Sequence, residues 1–142
     1  MSAHKIRLTN TLCEYEVDEK PIIRIAEKIF DDENFMLTDV DIILVNDQYI
    51  RDLNNRFLNK NATTDVISFN LEQNRISGVL EGEVYANLEQ ILRQAEEYGV
   101  SFENELHRIV IHGLLHLCEY DDKSDLDRQY MTEKGDHYLS LI

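Results

Sequence analysis

The run HGLLHLCEYDD, His112 to Asp122, constrains this chain more than any other stretch. Two imidazoles four residues apart act together only on an α-helix, where each residue turns the side chain by about 100°, so that i and i+4 lie about 40° apart on one face. The stripe of Leu106, Ile109, Val110, Gly113, Leu114 and Leu117 predicts that this helix, capped by Ser101, is buried centrally and holds both rings rigidly. Its leucines already supply the apolar contacts, so the imidazoles have little packing reason to be there. His112 and His116 can therefore grip one metal ion, with Asp122 or Asp121 beyond the helix as third ligand. Three protein ligands and an open position holding an acidified water are the usual catalytic arrangement of Zn²⁺. One Zn²⁺ per chain is the expectation, although two His and one carboxylate also accept Fe²⁺, Ni²⁺ or Mn²⁺. Cys118 lies about 200° round the helix from His116 and reads as a small core residue.

The spacing is similar to the HExxHxxGxxH signature of metzincin proteases, in which the Glu after the first His is the general base. Here that position is Gly113, which has no side chain to accept a proton, and this argues against a peptidase of that mechanism. Glu119 stands where the pattern has Gly. If it adopts the left-handed conformation there, it costs on the order of 1 kcal/mol relative to Gly, a strain that metal ligation can offset.

HGLLHLCEYDD resembles the HGxLHLxGYDH signature of the YbeY family of bacterial endoribonucleases and rRNA maturation factors, with Asp122 at the third His and Glu119 at the Gly. A carboxylate oxygen ligates Zn²⁺ at nearly the imidazole distance, so the site survives with one less positive net charge and a less acidic bound water. Leu53 to Asn70, LNNRFLNKNATTDVISFN, is similar to the family's LNxxYRxKDxPTDVLSFP segment, and Glu83 to Tyr85 to its GDIxIS strand. The resemblance covers most of the chain. It implies a metal-dependent endoribonuclease cutting single-stranded RNA, a role in maturing the 3′ end of small-subunit rRNA and in ribosome quality control, and contacts with ribosomal proteins. Leu58 occupies the place of the family's catalytic Arg, so that role does not carry over. Arg56 and Lys60 flank it and can offer a cation to phosphate, against a default reading as solvated surface.

The charge runs against RNA binding. Lys and Arg total 14 and Asp and Glu 28, a formal net charge of −14. Such a chain gains no general attraction to nucleic acid, so no DNA partner is expected and any RNA contact is local. Arg51, Arg56, Lys60 and Arg75 fall around the Leu53 to Asn70 block and can form a small positive cleft on an acidic body. Two other classes remain open: a metal-dependent hydrolase with a non-RNA substrate, and a non-catalytic ribosome assembly factor whose ion is structural.

With 43% hydrophobic residues in 142, one core and one domain over residues 1–142 are expected. No run of 18 apolar residues occurs, the start MSAHKIRLTN lacks the layout of a signal or transit peptide, and Cys13 and Cys118 make no disulfide framework. The expected setting is the cytoplasm, with no membrane partner. The patterning predicts an α+β fold, a roughly four-stranded mixed sheet with about five helices and the metal motif on a central one. Strands are expected at Lys5 to Leu8 on an edge, at Val40 to Val45 covered on both faces, at Asp65 to Phe69 and at Glu83 to Asn87. Helices are expected after Asp18, after Asn46 or Asp47, over Leu88 to Tyr98, after Ser101, and after Ser124, the last packing through Leu126, Tyr130, Met131 and Leu139. Gln73 to Gly82 reads as a loop that can move over substrate, or as one arm of a β-excursion near the site. His4 reads as exposed, His107 and His137 as incidental, Asp31, Asp32 and Glu33 as a solvated helix end, and Ser68 and Asp65 as facing opposite sides of the sheet.

Overall fold

The computed structural model describes residues 2–142, in the order β1 (Ala3–Asn10), α1 (Glu19–Asp32), β2 (Leu37–Val45), α2 (Asp47–Phe57), β3 (Val66–Asn74), β4 (Val79–Asn87), α3 (Leu88–Tyr98), α4 (Phe102–Leu117) and α5 (Asp125–Leu139). The sheet order is β1-β2-β4-β3. β1, β2 and β4 are parallel and β3 runs antiparallel to β4, so the fold is α+β with a mixed four-stranded sheet, as the patterning predicts. No helix among the described residues is long and apolar enough to cross a membrane.

Local chemistry fixes the helix starts. Asp18, Asn46, Asn87, Ser101 and Ser124 each sit in extended backbone and accept a hydrogen bond from a first-turn N–H, satisfying donors that otherwise have no partner. Gly99, at φ +67°, closes α3 in the left-handed conformation.

One face of the sheet carries the core. Val40, Ile42 and Leu44 of β2 and Leu80, Val84 and Ala86 of β4 meet Ile22, Ile25, Ala26, Ile29 and Phe30 of α1 and the buried stripe of α4. β2 is central in order, but its other face is covered only near its end, where Val45 packs with Ile50 and Leu53 of α2 and Ile67 of β3. Asp39 and Asp41 remain partly exposed there, paired with Arg7 at 2.5 and 2.7 Å. The expectation of two covered faces is corrected accordingly: on the second face the exposed Leu37 is followed by Asp39 and Asp41, and covered apolar residues begin only at Ile43.

Of the two readings of Gln73 to Gly82, the β-excursion is the one that forms, and the mobile loop is corrected. β3 runs to Asn74 and β4 starts at Val79, leaving a tight hairpin whose turn is held by Asn74 Oδ1, which accepts from the N–H groups of Ile76 and Ser77. Its two glycines serve different ends. Gly78 takes φ +73° in the turn, whereas Gly82 lies within β4 because a Cβ there would fall 2.8 Å from Leu117 of α4.

Other surface readings change as well. Leu126 is 75% exposed and Tyr130 51% exposed, so α5 joins the core through the expected Met131 and Leu139 and through the buried Tyr138, whose hydroxyl donates to Asp32 at 3.0 Å. The His4 ring is tucked in, bonded to Thr38 and Asp31. The acidic run does not simply solvate a helix end: Asp31 pairs with His4, Asp32 with Lys28, and Glu33 is buried.

Candidate metal centre

α4 reaches the site from Ser101, whose hydroxyl accepts from the Asn104 N–H, with Glu103 and Glu105 in its first turn complementing the helix dipole. Its docking on the sheet depends on Gly113. A Cβ at this position would lie 2.6 Å from Val84 Cγ1 and 3.0 Å from Val66 Cγ2, so the helix backbone sits directly on β3 and β4. Ser68 Oγ donates to the Gly113 carbonyl and Asn70 Nδ2 to the Leu117 carbonyl, each at 2.8 Å. These bonds tie the last turns of α4 to the edge strand and give Ser68 a docking role.

Beyond Leu117 the chain reverses in a Schellman turn. The Tyr120 N–H donates to the Leu115 carbonyl at 3.1 Å and the Glu119 N–H to the His116 carbonyl at 3.0 Å, with Glu119 at φ +72°. The left-handed conformation considered for Glu119 is therefore adopted. The turn brings the Tyr120 carbonyl under His116, whose Nδ1–H donates to it at 3.0 Å. This bond leaves the His116 Nε2 lone pair facing His112 Nε2, 3.0 Å away. Two nitrogens at about 2.05 Å from a tetrahedral Zn²⁺ stand about 3.3 Å apart, so the spacing suits a shared ion.

Ligand atoms of His112, His116 and Asp122 all lie within 4.8 Å of one another. Asp121 is not part of this group, and its Oδ1 accepts from the Lys123 N–H at 3.3 Å. Burial, reinforced by the neighbouring His116, lowers the pKa of His112, with Asp65 and Asp122 opposing, and so favours the neutral form that a metal requires. Burial pushes the Cys118 thiol up to about 12, which makes it an inert core residue. His107 is buried at the far end of α4, beside Leu139 and Ile142, and His137 is exposed; neither joins the group.

A cleft of about 590 Å³ opens beside the edge of β3, lined by His116, Ser68 and Asn70 at one end and by Leu58, Lys60 and Thr63 at the other. Lys60 is held there by the end of α2: its N–H donates to the carbonyl of the buried Asn54, and Asn54 Nδ2 donates to the Ala62 carbonyl. Arg56 lies outside that lining with its guanidinium over Phe57. Arg75 also lies outside that lining, its guanidinium donating to the carbonyls of Cys118 at 2.5 Å and Glu33 at 3.3 Å.

Glu33, Tyr120 and Arg75 around the ligand turn carry no spacing signal, because their meeting depends on where α1, α5 and the hairpin end. Only the position of Tyr120 inside HGLLHLCEYDD draws attention to it.

A mixed sheet under a central helix whose two imidazoles gather with a following carboxylate, next to an open cleft that one of them, His116, lines, defines an α+β domain with a candidate metal-dependent hydrolytic site. The chain belongs to the endoribonuclease YbeY family, whose model matches residues 7–142. It is 35% identical over 133 residues to the endoribonuclease YbeY of Flavobacterium psychrophilum, covering 90% of this chain and 93% of that one. It is also 35% identical to the Salinibacter ruber protein of the same name, over 89% and 85% of the two chains. A Thermotoga maritima protein whose structure was solved in solution superposes with a TM-score of 0.62 at 29% identity, over 96% of this chain and 87% of that one.

Proposed function

We propose that this chain is a zinc-dependent, single-strand-specific endoribonuclease that acts in the cytoplasm on the 3′ end of small-subunit rRNA and in ribosome quality control. The observation that carries this reading is the convergence of His112, His116 and Asp122 at a cleft that His116 shares with Lys60. The family favours RNA over the other hydrolase substrates that the motif alone permits.

The donor set fits a divalent transition metal. Two imidazole nitrogens face each other, one fixed by its bond to the Tyr120 carbonyl, and a carboxylate completes a three-ligand group with an open side toward solvent. Bound there, Zn²⁺ supplies Lewis acidity to a phosphoryl oxygen and acidifies a water. The chain's own residues bind and orient. The Lys60 ammonium, in the cleft lining, offers a point charge to a phosphate bound there, in place of the forked contact that Leu58 cannot make. Thr63 and Thr64 shape the wall opposite His116. Asp122 is exposed, so the ligand group meets solvent at the open end of the turn.

The test compares cleavage of a single-stranded RNA with that of the same sequence in duplex, using wild type and His116→Ala. Cleavage of the single strand by wild type, lost in His116→Ala and after chelation, is the expected result. Full activity in a metal-free His116→Ala preparation would sink the proposal.

A further inference from the structure

The ligand turn is held from behind by groups on other elements that touch neither the cleft nor the ligand atoms. Glu33, just past the end of α1, is buried, and its Oε2 accepts from the Tyr120 hydroxyl at 2.9 Å and from Lys134 Nζ of α5 at 3.1 Å. Lys134 also lies 5.1 Å from the centre of the Tyr120 ring, and Tyr130 packs its ring 5.7 Å from the same one. Tyr120 is thus fixed at its hydroxyl, on its ring and, through the Schellman turn, at its N–H. The one polar group it presents to the site is its carbonyl, which receives His116 Nδ1–H.

We infer that Glu33 and Lys134 are positioning residues for the metal centre: by clamping the Tyr120 side chain they aim its carbonyl at His116 and so fix the tautomer and orientation of that ligand. The inference rests on the metal reading above and concerns residues that the family motif does not include. A buried ion pair is poor evidence of a stabilising role, since apolar residues of similar volume often serve a fold as well or better. Here its placement has a specific consequence, because a carbonyl that orients a ligating imidazole controls both the direction of its lone pair and its basicity. Arg75 reinforces the arrangement by tying the Cys118 carbonyl to that of Glu33, which joins the end of α4 to the end of α1.

The test uses Glu33→Gln, Tyr120→Phe and the double variant, with His116→Ala as control, loaded with Co²⁺ as a spectroscopic probe. Readouts are Co²⁺ affinity by competition, the visible ligand-field band, and melting of the metal-free protein. Each single variant should weaken Co²⁺ binding several-fold, up to about 10-fold, and shift the band, because the partner carbonyl of His116 is retained but no longer held in aim. The double variant should be no worse than the stronger single one, because both changes cut the same chain of contacts. Tyr120→Phe keeps the ring and carbonyl and decides the matter if Glu33→Gln does not fold. Wild-type affinity and spectrum in folded Tyr120→Phe, with only the melting temperature lowered, would reduce the cluster to a structural one and overturn the inference while leaving the metal reading intact. No Co²⁺ uptake by wild type would remove the metal reading itself.

Discussion

Gly113 occupies the place of a zincin's general base, and the packing gives it a steric function instead: it lets the ligand-bearing turn of α4 rest on Val66 and Val84. Gly113→Ala should therefore cost about 1–3 kcal/mol, the usual penalty for overpacking a filled core. Gly135→Ala in α5, where an added Cβ meets nothing within 4 Å, should instead gain up to about 1 kcal/mol from helix propensity. Denaturant midpoints of the two variants check this; a neutral Gly113→Ala would mean that α4 docks less closely than described. His112 and His116 are legible in the sequence because i,i+4 spacing is local. The choice between Asp121 and Asp122 is not, since the direction of each carboxylate depends on the Schellman turn and on the Asp121 bond to the Lys123 N–H. The steric role of Gly113 is hidden for the same reason, because the atoms it must avoid lie on other strands.

At the scale of elements, α4 holds two imidazoles, His107 buried and His112 half-buried, without a carboxylate bonded to either ring. His107 is 5% exposed, and burial lowers its pKa from the ordinary 6.5 despite the pull of Glu103 and Asp18. Burial acts in the same direction on His112. The unfolded chain therefore binds more protons than the folded one as pH falls below about 6.5, and by linkage stability rises with pH across that window. Metal-free protein should melt at progressively lower temperature from about pH 7.5 down to about pH 5.5, and His107→Gln should flatten that dependence. An unchanged slope in His107→Gln would show that the ring is not protected from protonation. Helix starts are readable from Asp18, Asn46, Ser101 and Ser124 because a cap is a contact within one turn. The hairpin is not, because Gly82 looks like a breaker until Leu117 is seen pressed against it.

Across the whole molecule, a body of charge −14 carries a candidate ribonuclease site whose nearest cleft-lining cation is Lys60. The family resemblance, the fold class and the two His are legible in the sequence because each rests on residues close together along the chain. The clamp on Tyr120 and the exposed half of the sheet are not, because they depend on how distant elements meet. The central claim is that His112, His116 and Asp122 hold a catalytic metal, and its most direct test is metal content measured beside single-strand RNA cleavage in wild type, Asp122→Ala and Asp121→Ala. The account predicts about one metal per chain and cleavage in wild type and Asp121→Ala, with both lost in Asp122→Ala, as removal of one of three ligands requires. Metal and cleavage retained by Asp122→Ala, or lost only in Asp121→Ala, would contradict it.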